Sequence, residues 1–185
     1  MKIAVVTCYS DPNNVRAAHL RAALKATTGN RVFIVCNTRR GWLRYPEVIL
    51  ALWRLRRKKR PDAYLLTFRG QEILPFVLRI AGKKTPVWFD ECVVPIRYVQ
   101  AEDFGSGLGR RLQRTITRRS ISSYRRWLHR CRGIIVESEA QADTSARLAG
   151  VNLSNYSVIA TPAAATDGLS TTERQLSRLI ADAAA

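Results

Sequence analysis

Two adjacent carboxylates, Asp90 and Glu91, stand directly after the apolar run PVWF at residues 86–89. Carboxylates at the end of a buried run are costly to hold away from water, and they are typical of a polar cleft. In a cleft they would bind polar groups of a ligand. In a structural role they would cap a helix or form a salt bridge with one of the many arginines. This pair is our main candidate for a functional site.

Other polar residues stand at corresponding points, directly after apolar runs. They are Ser10, Asp11, Asn13, Asn14, Arg69, Gly70 and Glu137. The residues after the first run could bind a ligand at a helix N-terminus, or only cap that helix. Arg69 could hold a phosphate of the ligand, or pair with Glu72 or Asp90. Glu137 has a partly structural role in this interpretation, because its neighbour Ser138 caps the next helix.

Short β-branched runs alternate with segments of helical length along the chain. The predicted strands are 2–7, 31–36, 63–67, 86–89, 133–137 and 156–160, and the predicted helices are about 13–27, 46–59, 70–81, 110–131 and 138–149. The runs are almost continuously apolar, as in parallel strands buried on both faces. The pattern predicts an α/β, Rossmann-like, doubly wound fold with a mainly parallel sheet of about six strands and helices on both faces. Ligands of such sheets bind beyond the carboxyl ends of the strands, where the polar candidates stand.

The boundaries of the predicted domain follow from local signals. Ser138 and Gln141 form a capping box, and Gly150 is placed to end the helix that they begin. Residues 161–185 lose the strand pattern and become rich in alanine, threonine and serine. We therefore predict a domain at 1–160 and a tail at 161–185 that is a linker remnant or a short helix. The first predicted strand leads into SDPNN without glycine, so NAD binding is not expected.

The chain is strongly basic, with 31 Lys and Arg against 14 Asp and Glu and a net charge of +17. Segments 39–60 and 110–132 hold nine basic residues each, and both combine them with apolar or aromatic residues. Such helices suit the surface of an anionic membrane, although their outer faces could also be merely solvated. Nucleic acid would be attracted too, but no recognition motif is present. The predicted membrane-surface residues are Trp42, Arg44, Trp53, Arg57, Lys58, Arg118 and Arg125.

Cysteine spacing and hydropathy suggest where the protein works. Cys8, Cys36, Cys92 and Cys131 contain no C-x-x-C pair, so neither a metal site nor a disulfide framework is expected. The N-terminus has no signal-peptide pattern, and no uncharged apolar run approaches the roughly 20 residues of a membrane span. We predict a cytoplasmic protein that is peripheral at the inner face of the cell membrane.

Several segments in this order resemble a known family. They are RRGWLRYPEVILAL, RPDAYLLTFRGQEILP, PVWFDECVVP and RRWLHRCRGIIVESEAQADTSARLAGV. Together they resemble the N-terminal, acceptor-side half of family 4-type GT-B glycosyltransferases over residues 1–160. The resemblance implies that the domain holds a lipid-linked or glycan acceptor and turns Asp90-Glu91 toward the sugar. It also implies that a C-terminal domain, and not this one, binds the nucleotide-sugar donor.

The predicted function is therefore on the acceptor side of sugar transfer in envelope or exopolysaccharide assembly. No cofactor is expected in this domain alone. At residues 161–165 the sequence TPAAA replaces the linker that the family pattern implies, so we expect no transfer without a donor-binding domain. The alternatives are a truncated product, or a non-catalytic subunit that recruits a separate donor-domain protein to the membrane. A basic nucleic-acid-binding protein is the least favoured class.

Overall fold

The fold is that of a computed structural model, which describes residues 1–8, 15–26, 29–67, 70–91, 122–159 and Leu176. Its strands are β1 (Lys2–Thr7), β2 (Arg31–Cys36), β3 (Ala63–Thr67), β4 (Val87–Asp90), β5 (Gly133–Val136) and β6 (Tyr156–Val158). Its helices are α1 (Val15–Ala26), α2 (Arg44–Lys59), α3 (Leu74–Ala81), α4 (residues 122–128) and α5 (Glu139–Ala149). Short 3-10 turns lie at Gly41–Leu43, Gly70–Glu72 and Leu153–Asn155.

The six strands form one sheet in the order β2-β1-β3-β4-β5-β6, and every pairing is parallel. The predicted doubly wound α/β fold is confirmed. From β1 the chain first moves outward to β2 and then returns past β1 to β3. The strand order therefore reverses between β1 and β3, and such a reversal opens a crevice at the carboxyl ends of the two strands.

Each face of the sheet has its own apolar core. On one face, α2, α3, α4 and α5 contribute Leu52, Leu74, Leu128 and Ala142 to a cluster that includes Phe89 of β4. On the other face, α1 packs on β1, β3, β4 and β5 through residues such as Leu20 and Leu24. Burial on both faces explains why β1, β3, β4 and β5 are almost continuously apolar in sequence, whereas the outer strands β2 and β6 are only partly buried.

Local signals set the helix ends. The predicted cap at Ser138 is present, because its hydroxyl accepts a hydrogen bond from the Gln141 backbone N–H at 3.3 Å. Gly150 ends α5 in the left-handed region with φ of 67°, a conformation that costs a residue with a side chain more. At the start of α2, the Glu47 carboxylate accepts hydrogen bonds from the backbone N–H groups of Thr38 and Arg39 at 3.0 and 2.9 Å. These bonds join the loop after β2 to the helix.

One residue of the predicted tail is described. Leu176 is helical and fully buried, and it belongs to the apolar cluster on the α1 face together with Ile3, Leu24 and Ile135. The segment at 161–185 therefore contributes at least this side chain to the core of the sheet.

Candidate functional site

The carboxyl ends of four strands carry polar residues that lie close together. Thr7 ends β1, Thr67 ends β3, Asp90 ends β4, and Glu137 directly follows β5. The first three are completely buried, whereas the Glu137 side chain is 39% exposed. Polar groups are thus concentrated at the edge of the sheet where ligands of this fold class bind.

Arg16 of α1 ties this edge together. Its guanidinium contacts Asp90 Oδ1 at 2.7 Å and Glu137 Oε1 at 3.2 Å. It also donates a hydrogen bond to the Ile159 carbonyl at 2.9 Å. Arg16 and Asp90 are only 4% and 0% exposed, so the ion pair is almost free of water. One side chain therefore holds α1, β4, β5 and the end of β6 in a fixed arrangement.

Glu91 is the centre of a second buried network, on the opposite face of the sheet. Its carboxylate accepts hydrogen bonds from the hydroxyls of Tyr124 on α4 and Ser145 on α5. Ser145 also lies 2.9 Å from the Tyr156 hydroxyl of β6. Burial raises the pKa of Glu91, and these two donors oppose that shift only in part. Burial and the nearby Glu91 raise the pKa of Tyr124 well above its ordinary value.

A pair of threonines lies where the strand order reverses. The hydroxyls of Thr7 and Thr67 are 2.8 Å apart, and Thr67 also donates to the Val6 carbonyl at 3.1 Å. Cys8 follows Thr7 and is 1% exposed; its burial raises the pKa of the thiol to about 11. A thiol with this pKa stays protonated near neutral pH and is a poor nucleophile.

Beside the threonines, Arg44 and Tyr45 of α2 meet Glu72. The Arg44 guanidinium lies 3.2 Å from the Glu72 carboxylate and 2.7 Å from the Tyr45 hydroxyl, which also donates to Glu72. The Arg44 side chain is only 18% exposed. Its charge is therefore paired at the rim of the crevice, and this arginine adds little to an open cationic surface.

Gly70, a predicted site residue, is buried where the backbone passes close to β3. A Cβ atom added at this position would lie 2.4 Å from Cγ of Leu66, inside the contact distance of two carbon atoms. We expect Gly70→Ala to lower the free energy of unfolding by about 1–3 kcal/mol, because the Leu66 side chain must move in a packed core. Urea denaturation followed by circular dichroism measures the change. Gly41→Ala cannot serve as the control, because the φ of Gly41 is positive and alanine is itself strained there. The control is Ala140→Gly at an exposed position of α5, which measures the effect of backbone entropy without a contact in the core.

The structure describes some of the predicted site residues and not others. Ser10, Asp11, Asn13, Asn14 and Arg69 lie outside the described residues, as does Arg118. Asp90 and Glu91 lie side by side in the chain but enter different buried networks. For Asp90, the geometry supports the salt-bridge interpretation. Glu137 is the one predicted acid that is both described and partly open to solvent.

The remaining predicted membrane-surface residues are exposed. Trp42 is 73% and Trp53 is 44% exposed, and Leu43 and Leu50 between them are exposed too. Leu50, Trp53 and Arg57 follow each other at helical spacings of three and four, which places them on one face of α2. The Arg57 guanidinium lies 3.7 Å from the centre of the Trp53 ring. Lys58 and, on α4, Arg125 are also exposed.

Three residues whose side chains bond directly to Asp90 or Glu91 were not predicted from the sequence. Arg16, Tyr124 and Ser145 bond to partners 74, 33 and 54 residues away in the chain. Of the three, only Tyr124 could have been found from the sequence, because helical spacing places it on the apolar side of the basic segment 110–132. Arg16 is one of 31 basic residues, and nothing local distinguishes it from the others.

Comparison with known proteins gives no assignment. No protein-family model matches the chain, and no curated protein matches it in sequence. Within the described part of the chain, no helix combines the length and apolar character of a membrane span. The same residues contain no group of three His, Cys, Asp or Glu side chains that could hold a metal ion. Function must therefore be argued from the geometry of the residues themselves.

The arrangement limits what the described acids can do. Asp90 and Glu91 are 0% and 1% exposed, so in this structure their carboxylates contact protein groups and not solvent. They instead fix the positions of α1, α4 and α5 around the carboxyl edge. Of the three acids that end or follow β4 and β5, Glu137 is the one whose side chain is partly exposed and could contact a ligand.

Proposed function

We propose that this protein is a peripheral membrane domain that acts on the acceptor side of sugar transfer. The observation that carries the proposal is the α2 surface, which we define as Trp42, Leu43, Leu50, Trp53, Arg57 and Lys58. Exposed aromatic and aliphatic groups beside exposed cations are the composition of helices that lie in a membrane interface. The acceptor would be lipid-linked or a glycan, and the nucleotide-sugar would be held by a donor-binding domain.

Four large apolar side chains of the α2 surface are exposed. Most single exposed apolar residues need no explanation, but Leu50 and Trp53 are both exposed one turn apart on α2, and exposed apolar groups that lie together often mark an interaction site. The Arg57 guanidinium lies over the Trp53 ring, so the aromatic ring and the charge are at the same place on the surface. An anionic interface can satisfy both, since the ring enters the headgroup region while the charge meets lipid phosphate.

The sheet edge supports the sugar-transfer half of the proposal. The sheet is parallel and its strand order reverses at β1 and β3, where Thr7 and Thr67 lie. A crevice at that position is the ordinary ligand site of the fold class, and Arg16 holds the partly exposed Glu137 beside it. The resemblance to acceptor-side GT-B domains supplies the substrate class.

Vesicle binding tests the membrane half. The full chain is expected to sediment with vesicles of phosphatidylglycerol and not with vesicles of phosphatidylcholine. Each cation near an anionic surface contributes about 1 kcal/mol, so Arg57→Gln with Lys58→Gln should weaken binding roughly thirtyfold. The matched control is Lys25→Gln with Arg147→Gln, which removes the same charge from exposed positions on α1 and α5.

A separate pair of variants examines the apolar contribution. Trp42→Ser with Trp53→Ser should also release the protein from phosphatidylglycerol vesicles, whereas Leu153→Ala, at an exposed apolar residue beside β6, should not. Equal binding to charged and neutral lipid would contradict the proposal. Equal losses in the α2 variants and in the charge control would show that binding is due to net charge and not to this surface.

A further inference from the structure

A second cationic feature lies at the opposite edge of the sheet, where β4 and β5 begin. Here a pocket of about 410 Å³ is lined by ten residues, four of which are cations and none of which is an acid. The cations are Lys83, Lys84, Arg130 and Arg132. Leu78, Val87 and Cys131 form its apolar part. We call this feature the amino-edge pocket.

The backbone holds the cations in place from two sides. Lys83 and Lys84 stand in the turn between α3 and β4, which begins at Gly82 with φ of 80°. Arg130 and Arg132 stand in the turn between α4 and β5. The Arg132 backbone N–H donates to the Val87 carbonyl at 2.8 Å and so joins the second turn to β4. The two turns therefore line one pocket because of the sheet register and not because of sequence proximity.

The surroundings add to the positive field. A neighbouring recess shares Lys84, Thr85 and Pro86 with the amino-edge pocket and is lined also by Arg56 and Arg60. The acid in that recess is Asp62, whose carboxylate accepts a hydrogen bond from the Lys2 backbone N–H at 2.7 Å. Concave sites lined by one sign of charge concentrate oppositely charged ligands. This edge of the sheet should attract anions strongly.

We propose that the amino-edge pocket binds a phosphate group. Guanidinium groups form paired hydrogen bonds with phosphate oxygens, and ammonium groups add point charges beside them. Arg130 is steadied by the Trp127 ring, whose centre lies 5.3 Å from its guanidinium carbon. The volume falls in the range of about 300–1,000 Å³ that small-molecule sites occupy. A recess of this size accommodates a compact phosphorylated group better than the extended backbone of a nucleic acid.

Pyrophosphate is the probe that tests the site without a membrane. We expect saturable binding of pyrophosphate to the full chain, measured by calorimetry or by NMR shifts of residues 82–87 and 130–132. Arg130→Gln with Arg132→Gln removes two charge-assisted contacts and should weaken that binding at least tenfold. The Lys25→Gln and Arg147→Gln control should change it less than twofold. Thermal unfolding of each variant verifies that the exposed substitutions leave the fold intact.

Two comparisons separate this site from the α2 surface and identify the source of the phosphate. Arg57→Gln with Lys58→Gln should leave pyrophosphate binding at the level of the charge control. If vesicle binding falls more in the Arg130 and Arg132 variant than in the control, the natural ligand is a lipid phosphate; if only pyrophosphate binding falls, it is a soluble phosphate compound. The proposal is overturned if pyrophosphate binding does not saturate, or if the Arg57/Lys58 variant and the Arg130/Arg132 variant weaken it equally. It is overturned as well if single-stranded DNA binds far more tightly than pyrophosphate and the Arg130/Arg132 variant weakens that DNA binding.

Discussion

Replacing Asp90 with alanine is expected to lower the free energy of unfolding by about 3–5 kcal/mol, because the buried Arg16 guanidinium then loses its main carboxylate. The two groups are 2.7 Å apart, and neither is more than 4% exposed. Glu137 still contacts Arg16 at 3.2 Å, but its side chain is 39% exposed and cannot replace a carboxylate inside the core. Chemical denaturation followed by circular dichroism measures the loss.

Two further variants show whether the loss comes from the ion pair. Asp143→Ala removes an exposed acid from α5 and should change stability by no more than about 0.5 kcal/mol. Arg16→Met combined with Asp90→Leu replaces both charges with apolar groups and should recover much of the loss, since no unpaired charge stays buried. If Asp90→Ala leaves stability unchanged, Asp90 does not serve the fold and its interpretation as a ligand-binding residue regains support.

The elements of the fold could be predicted from the sequence because most of the sheet, from β1 through β3 and β4 to β5, is buried on both faces. Each strand needs a continuous apolar run, and the β-branched runs at 2–7, 31–36 and 63–67 coincide with β1, β2 and β3. At β4, β5 and β6 the predicted bounds differ by one or two residues, where a strand end depends on pairing and not on composition. The helix caps were predictable as well, because Ser138 and Gly150 act on their own neighbours.

The contacts of the candidate site could not be predicted in the same way. Acids at strand ends are visible in the sequence, but their partners depend on which helix face packs against which strand. Arg16 reaches Asp90 across 74 residues, and the chain offers 31 basic residues from which to choose. The neighbours Asp90 and Glu91 also point to opposite faces, as successive residues of an extended chain do. Asp90 and Glu91, which were predicted as one site, therefore belong to two networks, and each network has its own effect on stability.

The second large effect is expected at Glu91. Glu91→Ala should lower the free energy of unfolding by about 2–4 kcal/mol at pH 5, because it leaves the buried Tyr124 hydroxyl without its acceptor and opens a cavity. Ser145 is less affected, since it also lies 2.9 Å from the Tyr156 hydroxyl. Glu91→Gln keeps the shape of the side chain and an oxygen acceptor, so it is the matched control. Its stability at pH 5 should lie close to that of the unsubstituted protein.

The acidity of Glu91 gives the same experiment a pH dependence with a definite sign. Burial raises the pKa of Glu91 in the folded protein above the value of about 4.3 that an unfolded chain has. Between these two values the folded state binds more protons than the unfolded state, so the contribution of Glu91 to stability falls as pH rises. Glu91→Gln does not titrate, and it should therefore gain stability relative to the unsubstituted protein as pH is raised from 4 through the folded-state pKa. A stability difference that stays constant over that interval would mean that the pKa of Glu91 is not raised in the folded protein. A change in the opposite direction would mean that Tyr124 and Ser145 hold the carboxylate in its ionised form.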